Sequence, residues 1–126
     1  MVKMPSISKF GILKDNFSNG TFDKLIDIIE EAYYSPGEII YKEDIYDEGN
    51  SNALYLLTKG EVELFYDVKR ENMDSEIRIK KLQVGDYFND VSFFTDQPDD
   101  FSARSIGFST VYKIKRSNFY NIIKDK

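Results

Sequence analysis

The 126-residue sequence predicts a mainly β domain, a roll or barrel of short strands with a helix at each end. Short apolar runs recur between turn signals, and residues 53–57 (ALYLL) form the most apolar of them. Helical periodicity is confined to the two ends, apart from one short helical segment after Gly85-Asp86. A chain of this length buries roughly two-thirds of its unfolded surface, so we expect one core and one domain.

Composition excludes several classes of function. The sequence contains no Cys and no His, so it offers no disulfide, thiolate metal site, cysteine nucleophile or histidine base. The net charge of −5 argues against nucleic-acid binding. The sequence has neither a run of ~20 apolar residues nor an apolar signal core. We therefore expect a cytoplasmic domain that is not an enzyme and does not insert directly into a membrane.

The N-terminal part is predicted to hold an arm, a helix and a strand. Residues 1–16 show little apolar periodicity and are interpreted as an arm, so the domain proper spans 17–126. Thr21 is predicted to cap a helix that runs to about Ala32. The helical spacing i, i+3, i+4, i+7 is carried by Phe22, Leu25, Ile26 and Ile29. Residues 39–41 follow a Pro-Gly turn as a strand.

One apolar run and two alternating segments predict the central strands. Residues 53–57 are expected to be a buried strand, followed by a tight turn in which Gly60 has a positive φ. The next strand is expected to alternate between a buried side and a solvent side that carries Glu61 and Glu63. Residues 67–75 are predicted to form a polar hairpin tip. The return strand is marked by Ile77, Ile79 and Leu82.

The C-terminal part is predicted to hold one more strand and one more helix. Tyr112 and Ile114 are assigned to the last strand. Ser117 is predicted to cap the final helix, whose apolar positions are Phe119, Ile122 and Ile123.

Residues 85–104 (GDYFNDVSFFTDQPDDFSAR) predict a turn, a short helix, a loop and a strand. Asn89 is expected to cap the short helix by accepting hydrogen bonds from its first backbone N–H groups. This order resembles the phosphate-binding cassette of the cyclic-nucleotide-binding domain family. The family's F-G-E-L-A-L and P-R-A-A segments align without a gap with residues 88–93 (FNDVSF) and 98–101 (PDDF).

Four further segments resemble the family in the same order: 36–40 (PGEII), 54–62 (LYLLTKGEV), 82–88 (LQVGDYF) and 114–119 (IKRSNF). The resemblance covers about residues 17–126. It implies a cyclic-nucleotide-binding-type β-roll, a jelly-roll-like double-stranded β-helix with N- and C-terminal helices. Loop 42–52 departs from the family, because it is longer and lacks the usual E-G-D. The family's lid helix over the bound base is not recognised before Lys126, so we expect either a fragment or a lid supplied by another chain.

The resemblance implies a ligand site, but the residues of this sequence at that site differ in chemistry from those of the family. The family's cassette glycine is Asn89, its ribose-binding glutamate is Asp90, and its phosphate-binding arginine is Asp99. A carboxylate in place of a guanidinium turns attraction into repulsion, each of order ~1–4 kcal/mol in a partly wet site. We therefore expect no cofactor, and at most weak binding of cyclic AMP or cyclic GMP. The residues of this vestigial site are Gly85, Phe88, Asn89, Asp90, Val91, Ser92, Pro98, Asp99, Asp100, Phe101 and Ser102.

Individual residues at this site have two interpretations. Arg104 could swing toward the phosphate position, but an exposed arginine on its strand is the favoured interpretation. Phe101 could fill the ligand pocket or be an ordinary core aromatic. Asp90 could hold a ribose hydroxyl, although a helix N-terminal charge is favoured.

The acidic residues of the cassette admit two other functions. Asp96, Asp99 and Asp100 could hold Ca²⁺, but the sequence has no D-x-[DN]-x-[DN]-G run ending in Glu. Asp pairs could serve acid–base catalysis, but no sequence feature supplies a nucleophile or a substrate pocket. A solvated, charge-rich loop is the default interpretation.

Two functions of the whole domain stay open. One is a cyclic-nucleotide sensor in a channel or a kinase-type regulatory protein. The other, which the acidic cassette favours, is an interaction or structural module whose partner is another protein or the remainder of a larger chain. The second function predicts an apolar docking patch on the cassette helix and the final helix, made of Val91, Phe94, Phe119 and Ile123.

Overall fold

The computed structural model describes residues 19–43, 45–70, 73–97 and 100–124, so the predicted arm at 1–16 lies outside the described residues. In these ranges no helix is long and apolar enough to cross a membrane. The elements, in chain order, are α1 (Asn19–Asp27), β1 (Glu30–Tyr34), β2 (Ile39–Tyr41), β3 (Leu54–Lys59), β4 (Val62–Arg70), β5 (Met73–Leu82), β6 (Tyr87–Phe88), α2 (Asp90–Thr95), β7 (Ser102–Ser105), β8 (Ser109–Ile114) and α3 (Arg116–Ile123).

The strands form two antiparallel four-stranded sheets, in the orders β1-β8-β3-β6 and β2-β7-β4-β5. One buried cluster lies between the sheets, and a second joins the β3–β8 pair to the three helices. Strand β3 serves both clusters, because Tyr55 and Leu57 face the first while Leu54 and Leu56 face the second. Burial on both faces explains why residues 53–57 read as a continuous apolar run.

The first helix is shorter than predicted. It begins at Asn19, so Thr21 lies within its first turn, and it ends at Asp27 instead of about Ala32. Residues 30–34 form β1, which pairs with β8. Ile29 packs in the cluster that contains the three helices. Ala32 and Tyr34, which have the two-residue spacing of a strand, pack against the cluster between the sheets. The predicted helix is therefore wrong at its C-terminal end, because it continues into residues that form β1. The local sequence does not show that these residues pair with the distant strand β8.

The β4–β5 hairpin is longer than predicted. The expected tip at 67–75 is largely paired, since β4 continues to Arg70 and β5 starts at Met73. Backbone hydrogen bonds need no apolar side chains, so polar residues extend the ladder beyond the core. Ile77 and Ile79 are 41% and 42% exposed. Glu63, predicted to face solvent, is only 5% exposed.

Two turn predictions had different outcomes. Gly60 joins β3 to β4 with a φ of +87°, which confirms the predicted positive φ. Ser117 does not cap α3, because the helix begins at Arg116 and its N-cap residue Lys115 makes no side-chain capping bond. The backbone N–H of Phe119 instead donates to the Lys115 carbonyl at 3.1 Å.

Candidate functional site

The cassette has the predicted order of turn, short helix and strand. In the turn, Gly85 has a φ of +99°, and its N–H donates to the Leu57 carbonyl at 2.8 Å. Phe88 is 2% exposed and stacks on Tyr55 with ring centroids 4.9 Å apart. Helix α2 then begins at Asp90. The cassette is thus built onto β3 by backbone and aromatic contacts.

Asn89 is not the predicted side-chain cap. Its φ of 65° and ψ of 22° are left-handed, and its side chain makes no capping bond to α2. A capping side chain normally requires extended backbone at that residue. The Nδ2 group instead donates to the Ser51 and Ala53 carbonyls, each at 2.8 Å. Glycine adopts this backbone most readily, and asparagine is among the residues that tolerate it.

Two buried polar atoms of the cassette lack partners. The Oδ1 atom of Asn89 and the Oγ atom of Ser92 have no hydrogen-bond partner among the described residues. Only the NH₂ group of the Asn89 amide can donate hydrogen bonds to two carbonyls. These contacts therefore fix which end of the amide is the nitrogen and which is the oxygen. Each unpartnered buried atom costs about 1–3 kcal/mol.

A cleft of about 210 Å³ opens beside the cassette. Its described lining residues are Leu64, Lys80, Leu82, Tyr87, Phe88, Asn89, Asp90, Val91 and Phe101. Small-molecule pockets usually measure roughly 300–1,000 Å³, so this cleft is small. Five of the predicted site residues line it, namely Phe88, Asn89, Asp90, Val91 and Phe101.

The other predicted site residues are placed differently. Gly85, Ser92, Asp100 and Ser102 are not among the described residues that line the cleft. Ser102 is buried, and its hydroxyl accepts a hydrogen bond from the Glu43 N–H at 2.9 Å. Pro98 and Asp99 lie outside the described residues.

Lys80 lines the cleft and was missed in the sequence. It lies on β5 opposite Leu64 of β4, and both residues line the cleft. The register of this pair follows a bulge in the β4–β5 ladder, where Leu64 pairs with Lys80 but Phe65 pairs with Arg78. Period-2 alternation alone does not reveal such a shift.

Arg104 is neither exposed nor directed at the cleft. Its guanidinium donates to Glu63 Oε1 at 2.5 and 2.9 Å and to Glu76 at 2.9 and 3.1 Å. It also lies over the Phe65 ring, 4.3 Å from the centroid. Hydrogen bonds to Glu76 and then to Glu63 raise the pKa of Arg104. The favoured sequence interpretation, an exposed strand arginine, is therefore wrong.

The register shows which face Arg104 occupies. Ala103 pairs with Leu64, which lines the cleft, whereas Arg104 pairs with Glu63. Since successive strand residues point to opposite faces, Arg104 lies on the face away from the cleft. There it lines a separate depression of about 540 Å³.

Comparison with known proteins identifies the family. A sequence model of the cyclic nucleotide-binding domain matches residues 31–126, well over half of the chain. The chain belongs to this family. Human cGMP-dependent protein kinase 2 is 32% identical over 84 residues, which cover 67% of this chain and 10% of that protein.

Solved structures of the same fold agree. The regulatory domain of Toxoplasma gondii PKA with cAMP superposes with a TM-score of 0.70 at 19% identity, over 94% of this chain and 43% of that one. A cAMP-bound mutant of the regulatory subunit of a cAMP-independent protein kinase A from Trypanosoma brucei gives 0.68 at 16% identity, over 98% and 45%. This chain spans less than half of each relative. The predicted fold class, a cyclic-nucleotide-binding β-roll with flanking helices, is confirmed.

The C-terminal end of α2 in this family member is held by polar contacts. Asp96 has a φ of 57° and accepts from Asn52 Nδ2 at 3.3 Å. Arg116 of α3 lies 3.5 Å from the Asp96 carboxylate, and its Nε donates to the Phe93 carbonyl at 2.8 Å. Within the described ranges, no group of three or more acidic side chains is arranged to hold a metal ion.

The predicted apolar patch on α2 and α3 is only partly present. Val91 is 62% and Phe94 39% exposed on α2. Phe119, however, is 2% exposed and packs on Phe93 with centroids 4.9 Å apart, while Ile123 is half-buried. Both helices lie on the same sheet face, so their contact with each other buries the residues expected to be free.

Proposed function

We propose that this chain is a regulatory cyclic-nucleotide-binding-like domain that binds cyclic AMP and cyclic GMP very weakly or not at all. In this proposal it is non-catalytic and acts in the cytoplasm as an interaction module of a larger chain or assembly. The observation that carries the proposal is the position of Arg104. The arginine that follows the cassette is held by Glu63 and Glu76 on the sheet face away from the cleft.

The charges of the cassette support weak binding. By alignment, Asp99 stands where the family has its phosphate-binding arginine, and Asp90, which is exposed, stands where the family has a longer glutamate. Losing one attraction and adding one repulsion, each of order 1–4 kcal/mol, amounts to several kcal/mol. Each ~1.4 kcal/mol is a factor of ten in affinity, so the expected loss is a few decades.

The same surface supports the interaction role. Val91 and Phe94 expose apolar side chains on α2, and the residues Asp90, Asp96 and Asp100, which flank them in the sequence, are also exposed. An apolar centre with an acidic rim suits a basic partner, whose encounter would be accelerated at low salt. The regulatory domain of the Toxoplasma kinase is a longer chain than this one, which agrees with a module inside a larger assembly.

A second candidate function, a cyclic-nucleotide sensor, is favoured by one observation. Lys80 brings a cation to the cleft from β5 and could attract a phosphate in place of the missing arginine. If nucleotide binds through Lys80, Lys80→Gln should weaken binding at least tenfold.

Calorimetric titration of the full chain with cyclic AMP and cyclic GMP tests the proposal. We expect a dissociation constant in the millimolar range or no measurable heat. A dissociation constant near ~1 μM, equivalent to about −8 kcal/mol, would refute the loss of binding and favour the sensor function. Titration of Lys80→Gln would then show whether the lysine carries it.

A further inference from the structure

The short cassette helix α2 is anchored at its N-terminal end by one side chain. Asn89 is 5% exposed, and its Nδ2 bridges the carbonyls of Ser51 and Ala53 at 2.8 Å each. Those carbonyls lie 38 and 36 residues away along the chain, respectively, at the end of the loop that leads into β3. Both hydrogen bonds are buried, where competition from water is weakest.

The loop that receives these bonds is itself fixed. The Ser51 N–H donates to the Asp47 carbonyl at 2.8 Å, and the Asp47 N–H donates to Ser51 Oγ at 2.9 Å. Tyr55 of β3 donates its hydroxyl to the Asn50 carbonyl at 2.6 Å, and Lys113 of β8 donates to Asn50 Oδ1. The bridge from Asn89 therefore connects α2 to a loop that two core strands already hold.

A second tie joins the same loop to the other end of α2. Asn52 Nδ2 donates to Asp96 Oδ1 at 3.3 Å, while Asn52 Oδ1 accepts from the Gly49 N–H at 3.1 Å. Arg116 holds the same end from α3 through the Phe93 carbonyl at 2.8 Å. Protein groups thus hold both ends of α2.

We infer that Asn89 is a clamp that holds the cassette helix on the loop at residues 47–53 without any bound ligand. The backbone at Asn89 needs only a residue that tolerates a φ of 65°, which glycine meets better than asparagine. What asparagine adds is the donor pair, and removing it would leave two carbonyls without their buried donor. The cassette of this chain is therefore fixed by its own side chain, a property that goes beyond loss of nucleotide binding.

Hydrogen exchange measured by mass spectrometry on the full chain tests the clamp with two variants. Asn89→Gly keeps the left-handed backbone and removes the donor. Asn89→Asp keeps the size and shape of the side chain and places an acceptor against two carbonyls. We expect at least tenfold faster exchange of the amides in residues 91–96 and 47–53 in both variants, with β8 unchanged.

The two variants distinguish a lost donor from a loosened backbone. Faster exchange in Asn89→Gly alone would mean that glycine flexibility, not the lost donor, loosens the helix, and would overturn the inference. Equal acceleration in β8 would assign Asn89 a role in global stability only, which also overturns it. Rapid exchange of residues 91–96 in the unmodified, nucleotide-free chain would overturn it directly. Tight nucleotide binding would instead refute the proposed function and leave the clamp intact.

Discussion

Gly60 provides the sharpest test of the register of the roll. A Cβ atom built at Gly60 would lie 2.3 Å from the Phe108 carbonyl oxygen, 2.8 Å from Ser109 Oγ and 2.9 Å from Ser109 Cα. Atoms at these separations overlap, so the turn between β3 and β4 would have to move away from the turn between β7 and β8. The two turns are joined through Glu61, whose carbonyl accepts from the Ile106 N–H at 3.0 Å and from Ser109 Oγ at 2.9 Å.

The expected cost of Gly60→Ala follows from these contacts. An L residue in left-handed backbone costs about 1–2 kcal/mol, as φ is +87° here. Separation of the turns would weaken two hydrogen bonds, worth about 1 kcal/mol each. We therefore expect the free energy of unfolding to fall by about 3–4 kcal/mol.

Gly37→Ala is the matched control. Gly37 has a φ of +80°, but nothing lies within 4 Å of a Cβ atom built there. Only the backbone cost of about 1–2 kcal/mol should appear. The loss of unfolded-state entropy on replacing glycine by alanine is common to both variants and cancels in the difference.

Urea unfolding followed by circular dichroism measures both variants under one set of conditions, and an unchanged m value would confirm that midpoints report stability. The close approach of the two turns predicts that Gly60→Ala loses about 2 kcal/mol more than Gly37→Ala. Equal losses would refute the close approach. A neutral Gly60→Ala would refute the left-handed turn itself.

Three further predictions test the site and the buried charges. Asp99→Arg combined with Asn89→Gly should give calorimetrically measurable cyclic-AMP binding, since it restores the guanidinium and the close backbone approach that glycine allows. No gain over the parent, either in this double variant or in Asp99→Arg alone, would mean that the cleft is closed to the nucleotide. Glu63→Gln should lower the free energy of unfolding, measured in urea, by about 2–3 kcal/mol, because two arginines lose their buried partner. The control Lys81→Ala removes an exposed ion pair and should cost less than ~1 kcal/mol, so equal costs would contradict the burial of Glu63. Burial, then Glu38 and Glu30, raise the pKa of Tyr34 to about 12. The contribution of this hydroxyl to stability is therefore present below pH ~10 and is lost as pH rises toward 12. Tyr34→Phe should flatten this decline of the free energy of unfolding in urea titrations, and an unchanged slope would contradict the raised pKa.

Much of the fold was predictable because its signals are local. The apolar run at 53–57 predicts a strand that is buried on both faces. The glycine at position 60 predicts a turn with a positive φ. The order of turn, short helix and strand at 85–104 was likewise predicted from turn, helix-breaking and alternation signals. Each of these depends on residues only a few positions apart.

The site depended on tertiary contacts that no local pattern contains. The local sequence suggests that Asn89 is a helix cap, but in the structure its amide donates to the distant carbonyls of Ser51 and Ala53. Arg104 looks exposed until β4 and β5 bring Glu63 and Glu76 beside it.

Sequence alone therefore determined the family and the β-roll, and it predicted which residues occupy the cassette. Tertiary structure decided where those side chains go. Lys80 enters the cleft through a register shift in a paired strand, and β1 exists because β8 pairs with it. The physical reason lies in the partner: a hydrogen-bond partner sets the direction of the Asn89 and Arg104 side chains, whereas a paired strand sets β1 and the register at Lys80. That partner can lie tens of residues away in the chain.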